Sequence, residues 1–353
     1  MARADFFRLF ALIAATLLLA GCSGVGYYLQ SIDGQRRLMN AREPVERVIA
    51  DPATPQDLKK KLERAALIRD FASRELKLPD NKSYRSYADL KRPFAVWNVF
   101  AAAEFSVEAR ESCFPVAGCV GYRGYFKRED AEAYARGLRE QGDDVFVSGV
   151  PAYSTLGWFD DPLLNTFINY PEPELARLIF HELGHQVLYV RDDAEFNESF
   201  AVTVETEGVQ RWIAKDGDAT MRAEFEMEQR RRDQFIALVL AYRDKLAALY
   251  KSGIAPEQMR ARKSEIIAGM LREYAALKSQ WGGYAGYDRF FDGMNNAHIA
   301  SVSIYNALVP QFERMLARRN GDFAAFYADV RALARLSKDE RAARFAAMAV
   351  PAK

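Results

Sequence analysis

The stretch PEPELARLIFHELGHQVLYVRDDAEFNESFAVTVE, residues 171–205, decides the fold. It holds two of the chain's three histidines, four residues apart, with a glutamate directly after the first. Pro171 and Pro173 stand where proline is tolerated, in a first helical turn, and Glu172 and Glu174 suit the positive end of the helix dipole. Leu175, Leu178, Ile179, Leu183 and Val187 then repeat at helical spacing, which predicts a helix over 173–190. His181 and His185 are one turn apart on one face of it, so both imidazoles can reach one ion. Glu182 lies about 100° round the helix from His181 and can border the same cavity without being a ligand. That is the place for a general base. The neighbours Ile179, Phe180, Leu183 and Val187 are apolar. A buried histidine needs a partner, and a metal supplies one. The plainer alternative is two surface histidines on an amphipathic helix. Gly184 costs up to about 1 kcal/mol relative to alanine inside a helix, which is easier to explain if another segment or a substrate passes close.

Two histidines do not complete a catalytic metal site. A third protein ligand is needed, with a fourth position open. Asp192, Asp193 and Glu195 lie in the following loop, and His298 is a hundred residues on. Glu198 stands at the start of a second predicted helix, 197–213, with Asn197 as its N-cap and Phe200 and Val204 on its apolar face. A short loop lets this helix fold back beside the first and bring Glu198 to the ion. Glu205, two turns on along the same face, is placed to orient a ligand histidine, or else is a solvated helix glutamate.

Beyond this pair the chain reads as helices over 217–251, 256–279, 297–317 and 322–347. Before it, residues 92–170 change character. PFAVWNVFAAAEFSV and VAGCVGYRGYF read as strands, REDAEAYARGLREQG as a helix, and DVFVSGV as another strand, which suggests a mixed sheet with a crossover helix. Residues 22–91 read as amphipathic helices broken at DPATP. The fold class expected is α+β: a small N-terminal sheet layer and a larger helical half, in one unit spanning 22–353.

Among 353 residues, 49 are basic and 48 acidic, without a basic stripe, so nucleic acid is not expected as a partner. Residues 1–21 have the pattern of a signal peptide: Arg3 and Arg8 precede FALIAATLLLAGC, an apolar run too short to span a bilayer. Leu19-Ala20-Gly21-Cys22 resembles a bacterial lipobox, which implies cleavage before Cys22 and lipid on its sulfur. Ser23 after it favours the outer membrane, facing the periplasm. In an exported chain Cys113 and Cys119, six apart across a proline and a glycine, are expected to bridge a small hairpin; two buried thiols are the alternative.

FHELGHQVLYVRDDAEFNESFAVTVETEGVQRW resembles the gluzincin metallopeptidases, and more closely a bacterial aminopeptidase family of exported lipoproteins. The likeness extends to CFPVAGCVGYRGYF, GVPAYSTLGWFDDPLL and NNAHIASVSIYNALVPQFERML. It implies a zincin-like helical half, one zinc ion held by His181, His185 and Glu198, and Glu182 as base toward a zinc-activated water. The interval from His185 to Glu198 is shorter than in thermolysin-like members. Such enzymes often add a tyrosine or histidine for the oxyanion, and Tyr305 and His298, seven apart, are the candidates. Asn295 and Asn296 are read as helix caps or substrate contacts. GVPAYSTLGWF would pair with an extended peptide, and Glu205, Asp160 or Asp161 would anchor a free amine. The rival readings are an envelope endopeptidase or peptidoglycan peptide hydrolase, and a zinc-stapled lipoprotein with an assembly role.

Overall fold

The computed structural model describes residues 25–115 and 118–349; residues 1–21, read as a signal peptide, and Cys22 lie outside them. The chain opens with helix α1 (25–40), then β1 (Arg42–Pro44), α2 (Val45–Ala50) and α3 (Gln56–Arg74). DPATP separates α2 from α3, and Pro55 stands at the α3 N-cap. Strands β2 (Ser86–Ala88) and β8 (Leu163–Leu164) complete a three-stranded sheet with β1, antiparallel on one side and parallel on the other.

The strand-rich region forms a small sheet with a crossover helix as expected, but that sheet is antiparallel throughout, and the mixed sheet is the one made by β1, β2 and β8. β3 (Val96–Ala102) lies between β6 (Arg123–Tyr125) and β7 (Asp144–Val150), antiparallel to both. Helix α4 (Arg128–Glu140) is the crossover from β6 to β7. The period of two along β3 divides its side chains. Val99 and Ala101 pack with Ala131, Ala135 and Leu138 of α4, whereas Phe100 packs on the opposite face with Ala297 and Ile304. β4 (Ser112–Phe114) and β5 (Gly118–Val120) form a hairpin in which Cys113 pairs with Cys119, and the two are disulfide-bonded.

From Glu172 onward the protein is helical: α5 (Glu172–Val187), α6 (Ala194–Asp216), α7 (Ala219–Tyr250), α8 (Pro256–Gln280), α9 (Asp288–Phe291), α10 (Asn296–Asn306), α11 (Val309–Arg318), α12 (Phe323–Ala334) and α13 (Lys338–Ala349). The largest core cluster joins α3, α5, α6, α11 and α12, through residues such as Phe71, Phe180, Phe200, Phe312 and Phe326. The fold is therefore mixed α and β, mostly helical with small sheets.

Three boundaries differ from expectation. The helix predicted over 297–317 breaks at Ala307–Leu308, because Pro310 cannot continue it and restarts the chain as α11. The helix predicted over 322–347 breaks at Ser337, which forms a reciprocal cap: its N–H donates to Glu340 Oε2 at 2.8 Å and its Oγ accepts from the Glu340 N–H at 3.3 Å. The second helix of the opening stretch begins at Ala194, three residues early, with Asp193 as N-cap. Among the described residues no helix is long and apolar enough to cross a membrane.

Candidate metal centre

Helices α5 and α6 pack so closely that a Cβ on Gly184 would meet the Ala201 Cα at 3.5 Å. The close segment expected at that glycine is α6. The loop between the helices is held by Asn197, whose side chain accepts from the Val190 N–H and donates to the Val190 carbonyl, both at 2.7 Å. Asn197 is thus a loop clamp inside the first turn of α6 and not the cap. One residue on, Glu198 faces the histidines.

His181 Nε2 and His185 Nε2 are 3.1 Å apart, and Glu198 Oε2 lies 3.2 Å from the first and 3.5 Å from the second. Three ligand atoms converge, each from a residue that is buried or nearly so. On the other side of the ring, His181 Nδ1 is 2.7 Å from Glu205 Oε2. Glu205 also takes 3.2 Å bonds from Arg177 and Arg232. Burial would raise its pKa, but His181 and the two arginines hold it down at about 2, so it is a carboxylate that can only accept. The Nδ1 of His181 is therefore the donor, and in a neutral ring Nε2 presents a lone pair to the Glu198 carboxylate and to His185. Burial likewise opposes ionisation of Glu198, yet the histidines keep its pKa at about 2. Burial opposes a charge on His181, but Glu198 and Glu205 push its pKa well above the ordinary value, so a cation between these atoms, a proton or a metal ion, satisfies them. Ligand atoms placed tetrahedrally about 2.1 Å from one ion stand about 3.4 Å apart, close to the three separations here. The donor set of two imidazoles and a carboxylate with the fourth direction open fits zinc.

That direction opens into a cavity of ≈ 380 Å³ whose wall includes Glu182, Tyr122, Tyr189 and Tyr305. Burial raises the Glu182 carboxyl above its ordinary range. Tyr305 lies with its ring 6.3 Å from that of His181, and burial and then Glu198 keep its phenol protonated, well above the ordinary tyrosine pKa. Tyr122 is in the same state for the same reasons. The Ser199 hydroxyl accepts from the Leu308 N–H at 3.1 Å and so fixes, from α6, the turn that ends α10 just past Tyr305.

Other candidates lie elsewhere. The Asp193 carboxylate pairs with Arg341 at 2.6 Å, Asp192 accepts from the Cys119 N–H at 2.7 Å, and neither belongs to the ligand group. Nor does Glu195, in the first turn of α6. His298 closes a capping box with Asn295, stacks on Phe146, and is pushed by burial to about 4. Asn296 binds the Ala103 and Glu104 carbonyls. Both asparagines are structural. Glu205 is engaged behind His181, Asp161 is bound by Thr155, and Asp160 lies in a different pocket beside Arg42. Glu182 and Glu198 are the carboxylates that line the cavity, so the three acids expected to anchor an amine do not. GVPAYSTLGWF is strand only through Val150; residues 151–156 run irregularly along the cavity wall.

Sequence reasoning passed over Arg177, Tyr122 and Arg232. Arg177 carried a signal, since it precedes His181 by one turn on the same helix face. Tyr122 and Arg232 come from distant segments and carried none. No curated protein and no solved structure matches the chain. A family model described as "Putative aminopeptidase" matches residues 26–345, nearly all of the described fold, and the chain belongs to that family.

Proposed function

We propose that the protein is a zinc-dependent peptidase of the bacterial cell envelope, acting as an aminopeptidase on short peptides and anchored by lipid at Cys22. The observation that carries this reading is the convergence of His181 Nε2, His185 Nε2 and Glu198 Oε2 at the wall of a cavity that Glu182 also lines. A zinc ion held by those three atoms supplies Lewis acidity, making a water more acidic and polarising a peptide carbonyl. Glu205, fixed by Arg177 and Arg232, holds the Nδ1 proton of His181 and keeps Nε2 free. Glu182, with its pKa raised by burial, takes the proton of the attacking water and returns it to the leaving amine. Tyr305 and Tyr122 remain protonated and offer O–H donors to the developing oxyanion. A cavity near the lower end of the ~300–1,000 Å³ range of small-ligand sites suits the end of a peptide better than a folded chain.

The decisive variant is Glu182→Gln. Turnover of aminoacyl reporter peptides should fall by about 10²–10⁴-fold while bound metal per chain stays unchanged. Comparison of free with N-blocked peptides tests the aminopeptidase assignment. Undiminished turnover in this variant would exclude Glu182 as base, and equal cleavage of blocked peptides would favour an endopeptidase.

A further inference from the structure

Helix α1 carries an apolar stripe on its exposed side, besides the inward-packing Tyr27 and Leu38. Val25, Tyr28, Leu29 and Ile32 fall at i, i+3, i+4 and i+7, a single stripe. They are 59, 41, 62 and 65% exposed. The opposite face is the one that packs. A Cβ on Gly34 would collide with the Phe126 ring, Gln30 accepts from the Phe126 N–H at 3.1 Å, and Tyr27 and Ser31 line the cavity of the metal centre. The loop across the cavity adds two more exposed aromatics, Trp158 at 71% and Phe159 at 49%. The loop and the residues before it are tied to the end of α1 and to β1: Tyr153 donates to Gln35 of α1, and Arg42 of β1 donates to the Asp160 carbonyl. Six of the ten large apolar side chains exposed among the described residues thus belong to the helix and loop that rim one cavity.

We propose that α1 and the 155–160 loop form a surface that lies in a lipid bilayer interface, so that the cavity of the metal centre opens at the membrane. The occupant follows from the chain before α1. Consecutive Cα atoms are about 3.8 Å apart, so Cys22 stands within about 11 Å of Val25 whatever path the chain takes. A lipid on that sulfur brings the bilayer to the start of the stripe. The proposal rests on that lipid attachment. An amphipathic helix beside an acyl anchor supplies the second contact that stable membrane attachment needs, and tryptophan favours the interface. Arg36 and Arg37 continue the exposed side and share one carboxylate partner, Asp33, which leaves one positive charge toward anionic lipid. Peptide ends that reach Glu182 would then come from chains held at the membrane surface.

The test uses the chain from residue 23 onward, which keeps every described element and lacks the anchor. It is mixed with vesicles of phosphatidylethanolamine and phosphatidylglycerol, with and without brominated acyl chains. The chain should sediment with vesicles, and bromine should quench tryptophan emission. Trp158→Phe should remove most of that quenching. The double variant Leu29→Ser/Ile32→Ser should lower vesicle partition at least about tenfold with circular dichroism and metal content unchanged. Absence of partition by the unmodified chain overturns the proposal. So does self-association in ultracentrifugation that the double variant abolishes without any change in vesicle partition, because the stripe would then be an interface between copies. The mass of Cys22 in the full-length product reports on lipid attachment separately.

Discussion

Each nitrogen of His181 has a different duty, and the division is made by its neighbours. Glu205 fixes the proton on Nδ1, and this leaves Nε2 to face Glu198 and His185. The same sensitivity to surroundings appears at Asp161, behind the cavity. This carboxyl is buried and bonded by the Thr155 N–H and hydroxyl. Burial is the main cause that lifts its pKa from 3.8 to about 7, with Glu182 adding to it. The native state therefore holds a proton that the unfolded chain has released, and the stability so gained is present below about pH 4 and lost as pH rises through about 7. Asp161→Asn stays neutral and should lack that loss. Denaturant titrations at pH 4 and pH 8 should show the variant gaining on the parent by roughly 2–4 kcal/mol. A constant difference across that interval would mean that Asp161 is ionised at little expense and that the burial argument fails.

At the scale of elements, the site is one helix pair in near-contact. The spacing 3.5 Å from a Gly184 Cβ to the Ala201 Cα is ordinary van der Waals distance. Gly184→Ala should fit and gain up to about 1 kcal/mol of helix preference. Gly184→Leu should not fit. It must move α6, which carries Glu198, away from α5, which carries both histidines, and lower metal affinity at least about tenfold, as read by competition with a chromophoric chelator. Equal affinity in the leucine variant would show that the helices can part without moving the ligands. The helix pair was legible because its signals are local: His181 and His185 are one turn apart, and Glu198 follows within a short loop. Break signals were just as local where they were missed. Pro310 ends the run that began at Asn296, and the SKDE sequence at Ser337 is a capping box. Asn197 was read as a cap because its residue type favours one, but Asp193 holds that position and Asn197 grips Val190.

The whole molecule shows where local reading stops. The cavity wall is assembled from α1, from β3 to β7, from residues 151–156 and from α10, and no spacing along the chain announces that Tyr27, Tyr122 and Tyr305 meet there. The acids proposed as an amine anchor were near the motif in sequence or beside an aromatic turn, yet packing turned each away from the cavity. The same long-range packing bears on whether a metal at this site would be catalytic or structural. α5 and α6 are joined by a core that contains Phe71, Phe180, Phe200, Phe312 and Phe326 and runs well beyond the ligands. A metal ion at His181, His185 and Glu198 would not be what holds them together. It would stabilise by mass action alone, about 2.7 kcal/mol when the free ion is a hundredfold above its dissociation constant. For a chain of this size that corresponds to a melting shift on the order of 5 °C. Chelation should therefore lower the melting temperature by about that much and leave the far-ultraviolet circular dichroism at 25 °C unchanged. Loss of helical signal on chelation at that temperature would make the ion a staple of the fold, and the catalytic reading of His181, His185 and Glu198 would give way to the structural one.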